Sequence, residues 1–286
     1  MKTMREAFGL VLVELAKKRD DFVVLDADVA GGTGAGLTSS GLIPIVTAYA
    51  IFLSMRAIEQ IRNSVAYPNF NVKIVASHLG LDVGPDGPTH QAIEDLAILR
   101  AIPNMKVVAP ADPFELKKAM EVILENYGPI YVRTGRSPIP EIFNDNIEFE
   151  LGKAKVIRDG SDVSIIAVGV MVHRALEAAE ILSTKNISAQ VINVSTIKPI
   201  DKNLIIESAK KTKCIVTAED HNIFGGLFGA ISEVLAVNYP TYIEPVALND
   251  QFAESGDPIE LSKKYHSDSI SIADADQKGL KKRLGL

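Results

Sequence analysis

The chain has 286 residues, of which 47% are hydrophobic and 23% charged, and its formal net charge is −6. This composition excludes a disordered chain, a collagen and a disulfide scaffold, and the acidic balance argues against a nucleic-acid partner. No apolar run reaches the roughly 18 residues of a membrane span, and the first residues predict no signal peptide. Together with the single cysteine, Cys214, these features predict a cytoplasmic protein without a membrane partner.

Short apolar runs alternate with helical patterns along the first half of the chain. The runs predict β-strands at residues 22–25, 43–46, 72–76, 106–109 and 129–132. The helical patterns cover residues 52–65, 90–100 and 112–125. Strands that are separated by helices and rich in β-branched residues predict a mostly parallel sheet with helices on both faces.

The same alternation restarts after an acidic stretch that follows two prolines. Strands are predicted at 163–168, 189–194 and 214–218, helices at 172–183, 204–211 and 226–237, and a helical tail from 258. A chain of this length predicts two domains. We therefore expect two three-layer α/β domains, residues 1–140 and 151–286, joined by a linker at 141–150.

Polar side chains gather where the predicted strands end, which is the edge where parallel α/β sheets bind ligands. In the first domain they are Asp26, Asp28, His78, Asp82, Asp86, His90, Arg133 and Arg136, and in the second Glu219, Asp220 and His221. The loop at 76–91 sets two imidazoles and two carboxylates among three glycines, which favours an active-site loop over an ordinary turn. A metal site there is disfavoured because no third ligand stands at a fixed spacing.

Several motifs along the chain resemble those of the transketolase family, and in particular the C-terminal subunit of a split transketolase. They are GPDGPTHQ at 84–91, LRAIPNM at 99–105, FLSMRA at 52–57, RNSVAYP at 62–68, GPIYVR at 128–133, KPID at 198–201, EDHNIFGG at 219–226 and LND at 248–250. The resemblance implies that the first domain has the fold that binds the pyrimidine ring of thiamine diphosphate. The second would be the transketolase C-terminal domain.

The resemblance also implies a partner. In the family, the diphosphate and its Mg²⁺ are held by a Gly-Asp-Gly motif, which this sequence lacks. We therefore expect no metal site in this chain and an N-terminal transketolase subunit that supplies the Mg²⁺. Because the cofactor would lie between subunits, we expect self-association into a dimer and a heterotetramer with the partner.

Two residues resemble cofactor ligands of the family. Phe52 corresponds to the aromatic residue that stacks on the pyrimidine ring, although its pattern alone indicates an ordinary core residue. Asp28 corresponds to an acidic residue near the cofactor and the dimer interface; by itself it could cap a strand end.

Five residues resemble the family's ligands for sugar phosphate substrates. His90 corresponds to the catalytic histidine beside the reacting end, Asp86 to an acceptor for a sugar hydroxyl, and His78 to a histidine on the phosphate side. Arg136 matches the family's phosphate-binding arginine better, and Arg133 is the alternative because the register through Thr134 and Gly135 is ambiguous. A guanidinium suits a terminal phosphate, with which it forms paired hydrogen bonds. Without the family, either arginine is equally well explained by a salt bridge at the strand end.

One departure from the family concerns catalysis. The family has a longer segment between the first two strands, whose glutamate contacts the pyrimidine ring and promotes deprotonation of the cofactor. Here the first domain is shortened between residues 33 and 34, and no Glu-Gln-Asn motif occurs. We expect Gly31–Gly36 to close the gap as a loop and the activity to be severely impaired.

Three functions follow from these observations. The first is the C-terminal half of a transketolase that transfers a two-carbon ketol unit between sugar phosphates. The second is the corresponding half of a 1-deoxyxylulose-5-phosphate synthase or of a 2-oxo acid dehydrogenase β-subunit. The third is a non-catalytic interface partner, which the missing glutamate favours and the retained sugar loop disfavours.

Overall fold

A computed structural model describes residues 3–26 and 33–284, in which two sheets organise the chain. The strands of the first sheet are β1 (Phe22–Asp26), β2 (Ile43–Tyr49), β3 (Lys73–Ser77), β4 (Lys106–Val108), β5 (Ile130–Arg133) and β9 (Thr196–Lys198). Their spatial order is β1-β2-β3-β5-β4-β9. Every pair is parallel except β4 and β9, which are antiparallel.

The second sheet contains the remaining strands. They are β6 (Lys155–Arg158), β7 (Val163–Ala167), β8 (Ala189–Asn193), β10 (Cys214–Asn222) and β11 (Tyr242–Leu248). Their order is β11-β10-β7-β8-β6, and only β6 is antiparallel to its neighbour. The predicted class of two α/β domains with mostly parallel sheets is confirmed. Among the described residues, no helix has the length and apolar character needed to cross a membrane.

Helices pack on the faces of both sheets. They are α1 (Met4–Ala16), α2 (Thr33–Thr38), α3 (Ile58–Gln60), α4 (Asp95–Ala101), α5 (Pro113–Glu125), α6 (Met171–Ser183), α7 (Lys202–Thr212), α8 (Leu227–Asn238), α9 (Pro258–Lys264) and α10 (Ser269–Leu284). Helix α5 illustrates the local cause. Asp112 accepts a hydrogen bond from the Glu115 N–H at 2.8 Å, Pro113 begins the first turn, and the apolar side chains of one face are buried.

Three observed strands were not predicted from the sequence. Strands β6 and β9 are short and lie at sheet edges, and β11 contains Pro245 and alternates in burial. Such strands carry a weak local signal. Strand β9 belongs to the predicted second domain but completes the edge of the first sheet, so the two parts of the chain share a sheet.

The predicted helix at 90–100 begins only at Asp95. The Ala92 carbonyl accepts hydrogen bonds from the Gly80 N–H and from Arg133 Nη2, each at 3.0 Å. These tertiary contacts hold the backbone before α4 against the loop at 76–91, so that it does not adopt helical geometry. The predicted helix at 52–65 consists of π-helical turns, Phe52–Arg56 and Ile61–Ala66, on either side of α3.

The connection between the first two strands is short. Strands β1 and β2 pair in parallel, from Phe22 beside Ile43 to Asp26 beside Thr47. Helix α2 begins at Thr33, so the expectation of a loop as far as Gly36 is wrong for the part that the structure describes, because the last residues of that stretch form a helical turn. Residues 27–32 lie outside the described residues.

Candidate cofactor and substrate site

Four rings cluster at the carboxyl ends of β2 and β3. Tyr49, the last residue of β2, stacks on His78 with ring centroids 3.8 Å apart and planes inclined by 12°. The Tyr49 ring is also nearly parallel to Phe52, at 5.6 Å. His90 approaches Phe52 edge-on at 5.4 Å. The structure thus brings together three predicted residues, Phe52, His78 and His90, around a tyrosine that was not predicted to lie in the site.

His78 is held firmly at the end of β3. Its side chain is buried, its φ is 63°, and its Nδ1 lies 2.8 Å from the Ser77 hydroxyl. Burial, together with the positive charges of Arg136 and Arg5, lowers the pKa of His78 to about 4. The imidazole is therefore neutral at pH 7, with one nitrogen that accepts and one that donates a hydrogen bond.

Phe52 offers an aromatic face that is partly covered. The Arg56 guanidinium lies 4.2 Å from the ring centroid, a cation–π contact on one face of the ring. Phe52 as a whole is only partly buried. The other predicted cofactor residue, Asp28, lies outside the described residues.

Arg136 and Asp86 lie at the same edge of the first sheet. Arg136 Nη1 donates to the Val83 carbonyl at 2.6 Å and to the Asp86 carboxylate at 3.2 Å. Both charged side chains are about one-third exposed, at 35% and 29%. They therefore present a donor and an acceptor to the surface next to His78.

The alternative arginine, Arg133, is instead part of the core. Its side chain is 2% exposed and its Nε donates to the Asp95 carboxylate at 2.8 Å. The Nη2 donates to the carbonyls of Ala92 and Asp220, at 3.0 and 2.9 Å. Because these partners engage the buried guanidinium, its placement favours Arg136 as the arginine that can reach a ligand.

The Glu219-Asp220-His221 motif connects the second domain to this edge. Glu219 accepts hydrogen bonds from the N–H groups of Leu227 and Phe228 and so caps α8. Burial raises the pKa of the Glu219 carboxyl to about 7 and lowers that of His221 to about 4. Asp220 accepts from two N–H groups of the loop that follows His78. All three side chains are structural in this arrangement.

The rings suit the pyrimidine end of a thiamine-type cofactor, but the described residues include no ligand group for a metal ion at its other end. An aromatic face and two imidazoles suit a pyrimidine ring. In contrast, the part of the chain that the structure describes contains no group of three His, Cys, Asp or Glu residues able to hold a metal ion. No acidic residue occurs in the sequence between Asp28 and Glu59, so the segment leading to the rings supplies no glutamate.

Three residues of this site region were assigned no specific role by the sequence prediction. Tyr49 precedes Phe52 by three residues, and its position at a strand end is the only local signal. Asp82 and Asp220 were recognised as strand-end carboxylates, but their contacts with the loops are tertiary. Asp82 and Asp220 are 138 positions apart, so their contact cannot be predicted from spacing along the sequence.

Comparison with known proteins identifies the class. Residues 30–141 match the transketolase pyrimidine-binding domain and residues 152–272 the transketolase C-terminal domain. The chain therefore belongs to the transketolase family, whose members depend on thiamine diphosphate.

Individual relatives include a Methanocaldococcus jannaschii protein assigned as a transketolase C-terminal section, 43% identical over 98% of this chain and 97% of that protein. A 6-deoxy-6-sulfo-D-fructose transketolase subunit from Clostridium sp. (strain MSTE9) is 38% identical over 92% of this chain and 89% of its own length. A solved structure described as a split-gene transketolase in an inactive β4 tetramer superposes with a TM-score of 0.93 at 40% identity, covering 98% of this chain and 99% of that one.

The first of these alignments is longer than this chain. It extends over 311 positions, whereas this chain has 286 residues, so the relative contains at least 25 residues without a counterpart here.

Proposed function

We propose that this chain is the C-terminal subunit of a two-chain transketolase, which transfers a two-carbon ketol unit between a ketose phosphate and an aldose phosphate. The observation that carries the proposal is the ring cluster of Tyr49, Phe52, His78 and His90 beside Arg136. It combines a surface for a flat heterocycle with a cation for a phosphate. Thiamine diphosphate, when bound, supplies the electron sink for cleavage of a carbon–carbon bond.

Each residue of the proposed site has a specific role. Phe52 stacks on the pyrimidine ring. His90 hydrogen-bonds the hydroxyl groups next to the reacting carbon, and Asp86 accepts from a further sugar hydroxyl. His78 is neutral at pH 7 because of its low pKa, so it does not repel the cation that binds the phosphate.

Arg136 is the proposed phosphate ligand. Its present contact with Asp86 at 3.2 Å is longer than a strong charge-assisted hydrogen bond. A doubly charged phosphate is a better acceptor than this exposed carboxylate, so it would replace Asp86 as the partner of Arg136. The histidine–arginine set favours a phosphorylated sugar over the bare 2-oxo acid of a dehydrogenase β-subunit.

The proposal includes a partner. Among the described residues, no group of three His, Cys, Asp or Glu residues could hold a metal ion. In the proposal an N-terminal subunit holds the metal and the diphosphate, and the complete cofactor site forms only in an oligomer in the cytoplasm. We also propose that the activity is impaired, because the segment between Asp28 and Glu59 contains no glutamate that could promote cofactor deprotonation.

The test is ketol transfer from xylulose 5-phosphate to ribose 5-phosphate. The chain is assayed with a split-transketolase N-terminal subunit, thiamine diphosphate and Mg²⁺, and assembly is checked by sedimentation. The matched control is the same chain in which the family's longer, glutamate-containing segment is restored between residues 33 and 34. We expect an active control and little or no turnover by the unaltered chain.

Other outcomes separate the parts of the proposal. Equal turnover by both chains would refute the impairment, since another group would then activate the cofactor. An inactive control that assembles and binds cofactor but no sugar phosphate would favour the non-catalytic interface partner.

A further inference from the structure

The backbone around Arg136 is held by one buried carboxylate. The N–H groups of Arg136 and Ser137 both donate to Asp82 Oδ2, at 2.5 and 3.0 Å. The turn also packs tightly on this group, because a Cβ on Gly135 would lie 3.0 Å from Asp82 Oδ2 and 2.9 Å from Val170 Cγ1. Asp82 thus fixes the point from which the Arg136 side chain extends.

Asp82 is in turn held by the second domain. The N–H groups of Leu81 and Asp82 donate to the two carboxylate oxygens of Asp220, at 2.9 and 3.3 Å. Gly80 permits this approach, since its φ is +43° and a Cβ there would lie 2.3 Å from Asp220 Cγ. Asp220 lies on β10 and is buried, so its position is set by the core of the second sheet.

We propose that Asp220 and Asp82 act in series as positioning residues for Arg136, so that the second domain sets the affinity of the site for the phosphate end of the sugar. The inference rests on the proposed function, because it takes Arg136 as the phosphate ligand. Arginine has a long side chain, and fixing its backbone lowers the entropy lost when the guanidinium pairs with a phosphate.

Positioning and simple electrostatics predict opposite results at Asp82. This carboxylate carries a negative charge close to the phosphate ligand, so a purely electrostatic role would make its removal strengthen anion binding. If Asp82 positions Arg136, removing the Asp82 carboxylate weakens binding, because the N–H groups of Arg136 and Ser137 lose the hydrogen bonds that they donate to it.

The experiment measures ribose 5-phosphate binding by calorimetry to the chain assembled with a split-transketolase N-terminal subunit, thiamine diphosphate and Mg²⁺, at pH 7.5 and constant ionic strength, with ribose as the unphosphorylated control. Loss of a hydrogen bond to a charged group leads us to expect that Asp82→Ala and Asp220→Ala each weaken binding about tenfold. Asp82→Asn keeps an acceptor oxygen and should cost about threefold or less. The conservative variant keeps the test valid if the alanine variant fails to fold.

A double-mutant cycle with Arg136→Ala distinguishes positioning from general damage. If Asp82 acts through Arg136, Asp82→Ala has no further effect once Arg136 is gone. The matched control is Asp201→Ala, which also removes a carboxylate that accepts from two N–H groups, of Leu204 and Ala154, both at 3.2 Å. It should leave ribose 5-phosphate affinity unchanged.

Failures of the two proposals differ in this experiment. If Arg136→Ala leaves the affinity unchanged, or if the unaltered chain shows no binding, the proposed phosphate ligand is wrong and the inference falls with it. If Arg136→Ala weakens binding but Asp82→Ala does not, or if the Asp82 effect persists in the Arg136→Ala background, only the positioning inference is overturned.

Discussion

Replacing Arg133 by methionine tests the distinction between the buried and the exposed arginine. Methionine retains much of the volume but removes the hydrogen bonds that the guanidinium donates to Asp95, Ala92 and Asp220. Asp95 is fully buried, and its Oδ1 already lacks a hydrogen-bond partner among the described residues. In the variant, only the Tyr131 hydroxyl, at 2.7 Å, would still donate to its other oxygen.

These contacts determine the expected magnitude. Removing one member of a buried ion pair costs about 3–5 kcal/mol, because the other charge stays buried without compensation. We therefore expect Arg133→Met to lower the free energy of unfolding by about 4 kcal/mol. Adding Asp95→Asn removes the stranded charge while keeping an acceptor for Tyr131, and should restore about 2 kcal/mol.

The assay is urea unfolding followed by circular dichroism, with ribose 5-phosphate affinity measured on the same samples. The matched control is Arg136→Met, whose ion pair is one-third exposed and should contribute less than about 1 kcal/mol to stability. We expect Arg133→Met to affect stability and Arg136→Met to affect affinity. The reasoning is refuted if Arg133→Met unfolds within about 1 kcal/mol of the unaltered chain and loses phosphate binding.

Two further predictions concern buried groups outside the proposed ligand set. Burial raises the pKa of the Asp276 carboxyl well above its usual value, and neither of its oxygens has a hydrogen-bond partner among the described residues. Above about pH 4 the unfolded chain loses the Asp276 proton, whereas the folded protein retains it. The contribution of Asp276 to stability is therefore largest below about pH 4 and declines as pH rises through the pKa of the folded state. Asp276→Leu should stabilise by about 1–3 kcal/mol at pH 5 and by more at pH 7 in urea unfolding, whereas the same change at the exposed Asp274 should give no pH-dependent gain. At Gly80, alanine combines an unfavourable positive φ with a clash against Asp220, so we expect a loss of about 2 kcal/mol or more and weaker ribose 5-phosphate binding. Gly229→Ala in α8, where a Cβ meets nothing within 4 Å, is the matched control; an equal loss in both variants would contradict the clash.

Much of the fold could be predicted because its signals are local. The buried parallel strands are short apolar runs, and α5 has an aspartate cap, a proline in its first turn and a periodic apolar face. The edge strands β6 and β9 lack such runs: no residue of β6 is fully buried, and β9 has only three residues. The early start predicted for α4 failed because Ala92 bonds to the Gly80 N–H and to Arg133, and neither contact follows from residues next to Ala92.

The sequence by itself determined the alternating α/β order, the family motifs and the concentration of polar residues at the carboxyl ends of the strands. It also determined that no acidic residue lies between Asp28 and Glu59. Each of these depends on residue identity and spacing along one segment.

Only the tertiary structure distinguishes the environments of Arg133 and Arg136. The two arginines are three residues apart and have the same chemistry, but one ends a buried strand and the other follows a turn. Their environments depend on Asp95, Asp82 and Asp220, which lie on other elements of the fold. Burial and ion pairing arise from the packing of these distant segments, and this packing leaves one guanidinium in the core and the other partly exposed at the surface.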